Sequence, residues 1–148
     1  MIKSFNVGVL AATLGFAQAA IAADEVTSLP NCPAIETKTY SGYLEVTETK
    51  KLHYVYTESL RSPNLDPVLL WSNGGPGCSS LLGLFQENGA YTIDNVTEKC
   101  TYNSHAWNAY ANMLYIEAPA GVGYSVGSGP EDLAQNDMSQ SDDLFKAL

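Results

Sequence analysis

Two short apolar runs in this chain each break directly into a glycine-rich loop. The first, Val68-Leu69-Leu70-Trp71, runs into Ser72-Asn73-Gly74-Gly75-Pro76-Gly77-Cys78-Ser79-Ser80. The second, Met113-Leu114-Tyr115-Ile116-Glu117, runs into Ala118-Pro119-Ala120-Gly121-Val122-Gly123. An unbroken apolar run of this length is the pattern of a strand covered on both faces. Strands that end in such loops put a site at the carboxyl edge of an α/β sheet. The fold class expected is therefore α/β.

The neighbouring sequence supplies the rest of a small sheet. Residues 37–47 alternate, with Tyr40, Gly42, Leu44 and Val46 on one face and Tyr43 and Glu45 on the other. Residues 52–57 alternate too, with Leu52, Tyr54 and Tyr56 together, and the polar stretch 48–50 connects the two. This predicts an antiparallel hairpin. Residues 61–67 hold two prolines and an asparagine and read as a loop. After the first glycine loop, Leu81, Leu82, Leu84 and Phe85 carry helical spacing, with Ser79 or Ser80 as the cap. Met138, Leu144, Phe145 and Leu148 predict a second helix, which has no terminating Gly or Pro. A hairpin, two buried strands and flanking helices make an incomplete sheet, because a whole α/β enzyme needs more layers.

At 148 residues the chain fits one domain, and 45% apolar content separates it from a disordered tail. A net charge of −9 excludes a nucleic-acid surface, which needs clustered Lys and Arg. Lys3, the apolar run 7–21 and small residues up to Ala23 have the layout of a signal peptide over residues 1–23. The run is too short and too rich in Ala and Gly to make a good membrane anchor. The expected mature chain is then residues 24–148, in the lumen of the secretory route, with no membrane partner after cleavage.

Oxidising surroundings favour disulfides, yet Cys32, Cys78 and Cys100 are odd in number, so one thiol lacks an intrachain partner. The pairing stays open at this point. No C-x-x-C spacing exists and no His sits at metal spacing, so neither metal nor cofactor is expected. Asn95-Val96-Thr97 is an N-glycosylation sequon.

The loop beginning at Asn73 carries the chemistry. Three glycines within four positions let main-chain N–H groups approach a ligand closely. Beside a helix N-terminus such amides stabilise an anion: a phosphate, a carboxylate or a tetrahedral oxyanion. The plain alternative is a tight turn with no ligand. A phosphate loop is disfavoured, since no Gly-Lys-Ser/Thr follows.

The stretch 70–80, Leu-Trp-Ser-Asn-Gly-Gly-Pro-Gly-Cys-Ser-Ser, closely resembles the signature of the serine carboxypeptidases, secretory or lysosomal α/β-hydrolases; it departs from it at Ser72. Three further segments agree in order: 40–44, 84–89 and 116–125. The resemblance runs over about residues 27–148. It implies the N-terminal part of an α/β-hydrolase fold and, for the full-length enzyme, release of C-terminal residues from peptides. It implies roles by position: the Gly75 N–H for the oxyanion, Asn73 and the Gly74 N–H for the substrate's C-terminal carboxylate, with Trp71 and Glu87 in the same network. Beside a substrate carboxylate, Glu87 would take a proton and donate rather than repel, which favours work at acid pH. On residue type alone, Trp71 packs a strand end and Glu87 is a solvated helix end.

The family's triad does not map onto these residues. Gly123-Tyr124-Ser125-Val126-Gly127 fits G-x-S-x-G, but Ser125 follows a loop and precedes no helix start, so it is read as structural. The family's nucleophile segment, Gly-Glu-Ser-Tyr-Ala-Gly, does not occur in the 148 residues. His53 reads as an exposed or hydrogen-bonded strand residue and His105 as part of a turn, neither being a catalytic base. The resemblance also gives Cys78 a disulfide partner outside this chain. The expectation is an inactive chain that holds the oxyanion and carboxylate-binding loop, its partners being peptide C-termini. The alternatives are a secreted non-catalytic protein that binds peptide C-termini, and an unstable gene-model fragment.

Overall fold

A computed structural model describes residues 22–148. Most of the expected signal peptide, residues 1–21 of 1–23, lies outside them. The hairpin forms where the alternation places it. Strand β1 (Thr39–Glu45) pairs antiparallel with β2 (Lys50–Thr57), Tyr40 facing Tyr56 and Leu44 facing Leu52. The polar connection folds tightly because Thr47 Oγ1 accepts from the N–H groups of Thr49 and Lys50. β2 passes on its other side to β6 (Asn112–Ile116), antiparallel, and β6 pairs in parallel with β3 (Val68–Trp71). The sheet order is β1-β2-β6-β3, and a two-residue strand β7 (Val126–Gly127) adds to the start of β2.

The two apolar runs meet different fates. β6 is central and buried, with Met113, Tyr115 and Ile116 nearly inaccessible. β3 is an edge strand among the described residues, and Val68, Leu69 and Leu70 are 52%, 38% and 44% exposed. The expectation that β3 is covered on both faces is thus corrected. An apolar run makes a strand able to bury both faces, but burial needs neighbours on both sides.

Side chains of β6 alternate between two cores. Ile116 joins Tyr40, Leu52, Tyr54, Ala118 and Ala120 on one face. Met113 and Tyr115 join Val55, Leu84 and Ala111 on the other, with Trp71, Leu81 and Phe85 packed at the margin. The second face carries the helical segment that follows the first loop. It begins at Leu81 and widens over Gly83–Glu87, where Asn88 N–H reaches back five residues to the Gly83 carbonyl. This is the wide turn of a π-bulge. The first face carries α2 (Asp137–Ala147), capped by Asn136, through Leu144 and Ala147. The spacing that predicts this helix does not predict its packed face, since Met138 and Phe145 point outward and are 78% and 83% exposed. Inward lies Asp143, in a buried ion pair with Lys50 at 2.8 Å.

A short α1 (Pro130–Leu133) and a second hairpin, β4 (Tyr91–Ile93) with β5 (Cys100–Tyr102), complete the fold, and the sequence pattern predicts neither. Cys32 and Cys100 form a disulfide, resolving the pairing left open, and Cys78 is free and exposed. The bridge fastens the N-terminal segment beside β5, where the phenols of Tyr91 and Tyr102 both donate to the Ala34 carbonyl. Among the described residues no helix is long and apolar enough to cross a membrane.

Candidate functional site

The first loop leaves β3 at Trp71 and is fixed at its two ends. At the start, Asn73 N–H donates to Ser80 Oγ at 3.2 Å. Ser80 is wholly buried, and its hydroxyl donates to the Ile116 carbonyl at 2.6 Å, so the loop is tied to the end of β6. At the far end Ser79 Oγ accepts from Leu81 N–H, the expected cap, and Ser79 donates to Glu117 Oε1. Between these anchors the chain turns through a cis peptide before Pro76 and through Gly77 at φ +94°. Among the described residues, the N–H groups of Gly74, Gly75, Gly77 and Cys78 donate to no protein acceptor. They lie on the exposed part of the loop. A Cβ at Gly74 or Gly77 would meet nothing within 4 Å.

The side chains of Trp71, Asn73 and Glu87 form one hydrogen-bonded chain. Asn73 Oδ1 accepts from Trp71 Nε1 at 2.9 Å and from the Gly83 N–H at 3.0 Å. Asn73 Nδ2 donates to Glu87 Oε1 at 2.8 Å. The amide orientation follows from the partners. An indole N–H and a peptide N–H can only donate, so they face the oxygen, and a carboxylate accepts from the nitrogen. Glu87 therefore presents one carboxyl oxygen to Asn73 on an exposed surface, at the end of the wide turn. Gly83 is required here because a Cβ would collide with the Trp71 indole. Trp107 packs edge-on against Trp71, with ring centroids 5.4 Å apart, and steadies the indole. Beneath, Tyr115 donates to Asn88 Oδ1 at 2.9 Å, and burial first, then the Glu87 charge, push its phenol above the ordinary tyrosine range.

No local sequence pattern marks Glu117, yet three segments converge on it. It is fully buried, and it accepts from Ser79 of the first loop, from Tyr124 N–H of the second loop at 2.8 Å, and lies 3.0 Å from His53 Nδ1 of β2. Ser125 is buried, as its structural reading requires, and its hydroxyl donates to the Glu117 carbonyl at 2.6 Å while accepting from His53 N–H at 2.8 Å. His53 is the hydrogen-bonded strand residue of its two readings, 7% exposed. His105 is exposed in its turn. Asn95 sits exposed in the β4–β5 turn, where Gln86 Nε2 donates to its side-chain oxygen at 3.1 Å. The turn is held by Asp94, whose carboxyl is lowered below the usual range by the Thr97 N–H, then its hydroxyl, then the Val96 N–H. Gly83 and Glu117 left no local sequence signal, and Ser80 showed only as a candidate cap; contacts across the sheet show what they do.

Comparison with known proteins agrees with this architecture. A family model described as serine carboxypeptidase matches residues 30–148. Carboxypeptidase Y of Candida albicans is 50% identical over 125 residues, covering 83% of this chain and 22% of that protein. Serine carboxypeptidase ctsa-4.1 of Caenorhabditis elegans is 47% identical over 118 residues, 79% of this chain and 25% of that protein. Lysosomal protective protein of Mus musculus is 44% identical over 126 residues, 84% and 26% respectively. Among solved structures, Kex1(delta)p, a prohormone-processing carboxypeptidase of Saccharomyces cerevisiae, superposes with a TM-score of 0.67 at 20% identity. It covers 82% of this chain and 29% of that one. The α/β sheet is thus a partial α/β-hydrolase sheet, and the chain belongs to the serine carboxypeptidase family. It spans about a quarter of the length of the curated relatives it matches.

Proposed function

We propose that this chain carries the anion-binding part of a serine carboxypeptidase: a main-chain cradle for the oxyanion and a polar clamp for the free carboxylate of a peptide. Gly75 N–H serves the oxyanion; Gly74 N–H, Asn73 and Glu87 serve the C-terminal carboxylate, with Trp71 orienting Asn73. In the full-length protein the reaction would be release of C-terminal residues by acyl transfer through a serine. The nucleophile, Asp and His of the family do not map onto these residues, so the chain alone is expected not to cleave peptides. The secretory route, ending outside the cell or in an acid compartment, is the proposed location, with a glycan at Asn95 and a partner for Cys78 supplied from outside these residues.

One observation carries the reading. Asn73 is locked by the Trp71 indole and the Gly83 N–H into an orientation that faces Glu87, while the adjacent loop amides stay unused. Preorganised donors of this kind bind anions without a reorganisation cost. Calorimetric titration with a peptide and with its C-terminal amide tests it. Heat from the acid alone is the expected result; equal or absent heats overturn the reading. A blocked dipeptide at acid pH should remain intact.

A further inference from the structure

A separate cluster lies on the other side of Glu117. The β1–β2 register pairs Ser41 with Val55 and Tyr43 with His53, which puts Ser41 and His53 on one face as diagonal neighbours. Ser41 Oγ lies 2.9 Å from His53 Nε2, and His53 Nδ1 lies 3.0 Å from Glu117 Oε2. The directions of these bonds are set by Glu117. It already accepts from the Tyr124 N–H and the Ser79 hydroxyl, and as a carboxylate it can only accept. His53 therefore carries a proton on Nδ1, and in the neutral imidazole Nε2 turns a lone pair to the Ser41 hydroxyl. Tyr43 and Tyr124 hold the imidazole edge-on, with centroids at 5.6 and 5.3 Å. A hydroxyl on a base, and a base on a carboxylate, are the defining contacts of an activated serine, which is recognised by geometry rather than sequence position.

This cluster opens on a cavity of about 270 Å³, whose walls include Ser41, His53, Val55, Leu84, Phe85 and Tyr124. The volume is below that of a drug-sized pocket, about 300 Å³ and upward. Apart from the serine and histidine its chemistry is largely apolar, so it suits a small uncharged acyl or phosphonyl group. We propose that Ser41 is a reactive nucleophile, activated by His53 and positioned through Glu117, toward short-chain esters and alkyl fluorophosphonates. With an ester, Ser41 Oγ bonds to the carbonyl carbon and its proton passes to His53 Nε2. The bond to the leaving oxygen breaks, and the alcohol departs with that proton; water later frees the acid and restores the hydroxyl. With a fluorophosphonate, the Oγ–P bond forms, the P–F bond breaks, and fluoride leaves as the proton is taken up. The site uses none of Trp71, Asn73, Gly74, Gly75 and Glu87.

The full chain incubated with a hexyl fluorophosphonate, then read by intact mass and peptide mapping, tests the proposal. One adduct, on Ser41, is expected. Ser41→Ala should abolish it, and His53→Gln should slow it by at least about 100-fold, the usual contribution of a positioned base. If His53→Gln fails to fold, the native chain in unfolding urea supplies the comparison, and its Ser41 labelling should drop by a similar factor. No adduct on the folded chain, an adduct on another serine, or Ser41 labelling indifferent to both His53→Gln and unfolding would each overturn the proposal.

Discussion

The two glycine-rich loops look alike in sequence and do opposite things with their amides. Each follows an apolar strand, and each contains a cis proline, Pro76 in one and Pro119 in the other. The second loop is closed on itself: Gly121 N–H donates to the Ser125 carbonyl, Ser125 N–H to Val122, and Tyr124 N–H to Glu117. Its Gly123, at φ +54°, leaves room for the Glu117 carboxylate, which a Cβ would overlap. The first loop is pinned only at Asn73 and Ser79, and its middle amides are free among the described residues. Glycine in one place makes space for a buried charge. In the other it leaves donors open to a ligand.

That contrast can be broken by substitution. Glu117→Ala should have the largest effect, about 3–5 kcal/mol in urea denaturation, since it removes the acceptor that the donors of Ser79, Tyr124 and His53 share. A loss under 1 kcal/mol, roughly the value of one ordinary hydrogen bond, would contradict the hub role. Gly123→Ala should follow, with about 1–2 kcal/mol for the left-handed backbone and about 1–3 kcal/mol for the overlap. The same change at Gly74, where nothing lies within 4 Å, should stay within about 0.5 kcal/mol. Equal costs at the two glycines would erase the distinction between the loops.

Asn73→Ala sharpens the comparison from the ligand side. It leaves the Gly83 N–H without its acceptor and should cost about 1–3 kcal/mol of stability. Titration with a peptide should show its carboxylate-dependent heat abolished. Acid gives the smallest expected effect. The Asp66 carboxyl is held below the usual aspartate range first by Arg61, then by Ser59; that of Asp132 by the Ser128 N–H foremost. A depressed value in the fold stabilises above the unfolded value, about 3.9, and that contribution fades as pH falls further. Asp66 stands just before β3 and the open loop, and Asp132 beyond the closed one. Asp66→Asn should flatten the fall in urea midpoint between pH 7 and pH 3, without affecting the second loop's share.

Local pattern carried the elements it could reach. Alternation over residues 37–57 placed the hairpin and its faces, and glycines placed both loops. The helix after Asn136 was legible, its orientation was not. Met138 and Phe145 suggested a buried stripe, whereas a Lys50–Asp143 pair, 93 residues apart in sequence, decides which side faces the sheet. Trp71, Asn73 and Glu87 were nameable only through the family signature, because a strand-end tryptophan and a helix-end glutamate are ordinary locally. Ser80 was legible only as a cap and Glu117 not at all, for the same reason that they matter: their partners come from β2, β6 and two loops, and no window of sequence contains them together. Three cysteines allowed three pairings, and only the fold brings Cys32 to Cys100.

That crosslink spans 68 positions and makes the polypeptide between its ends a covalent ring. Trp71, Asn73, Gly75 and Glu87 all sit on the ring, while Glu117 lies on the tail that leaves it. A protease that nicks the surface loop at 61–67 would therefore open the circle without releasing a fragment. The cut chain would migrate as one species until a reductant parted it.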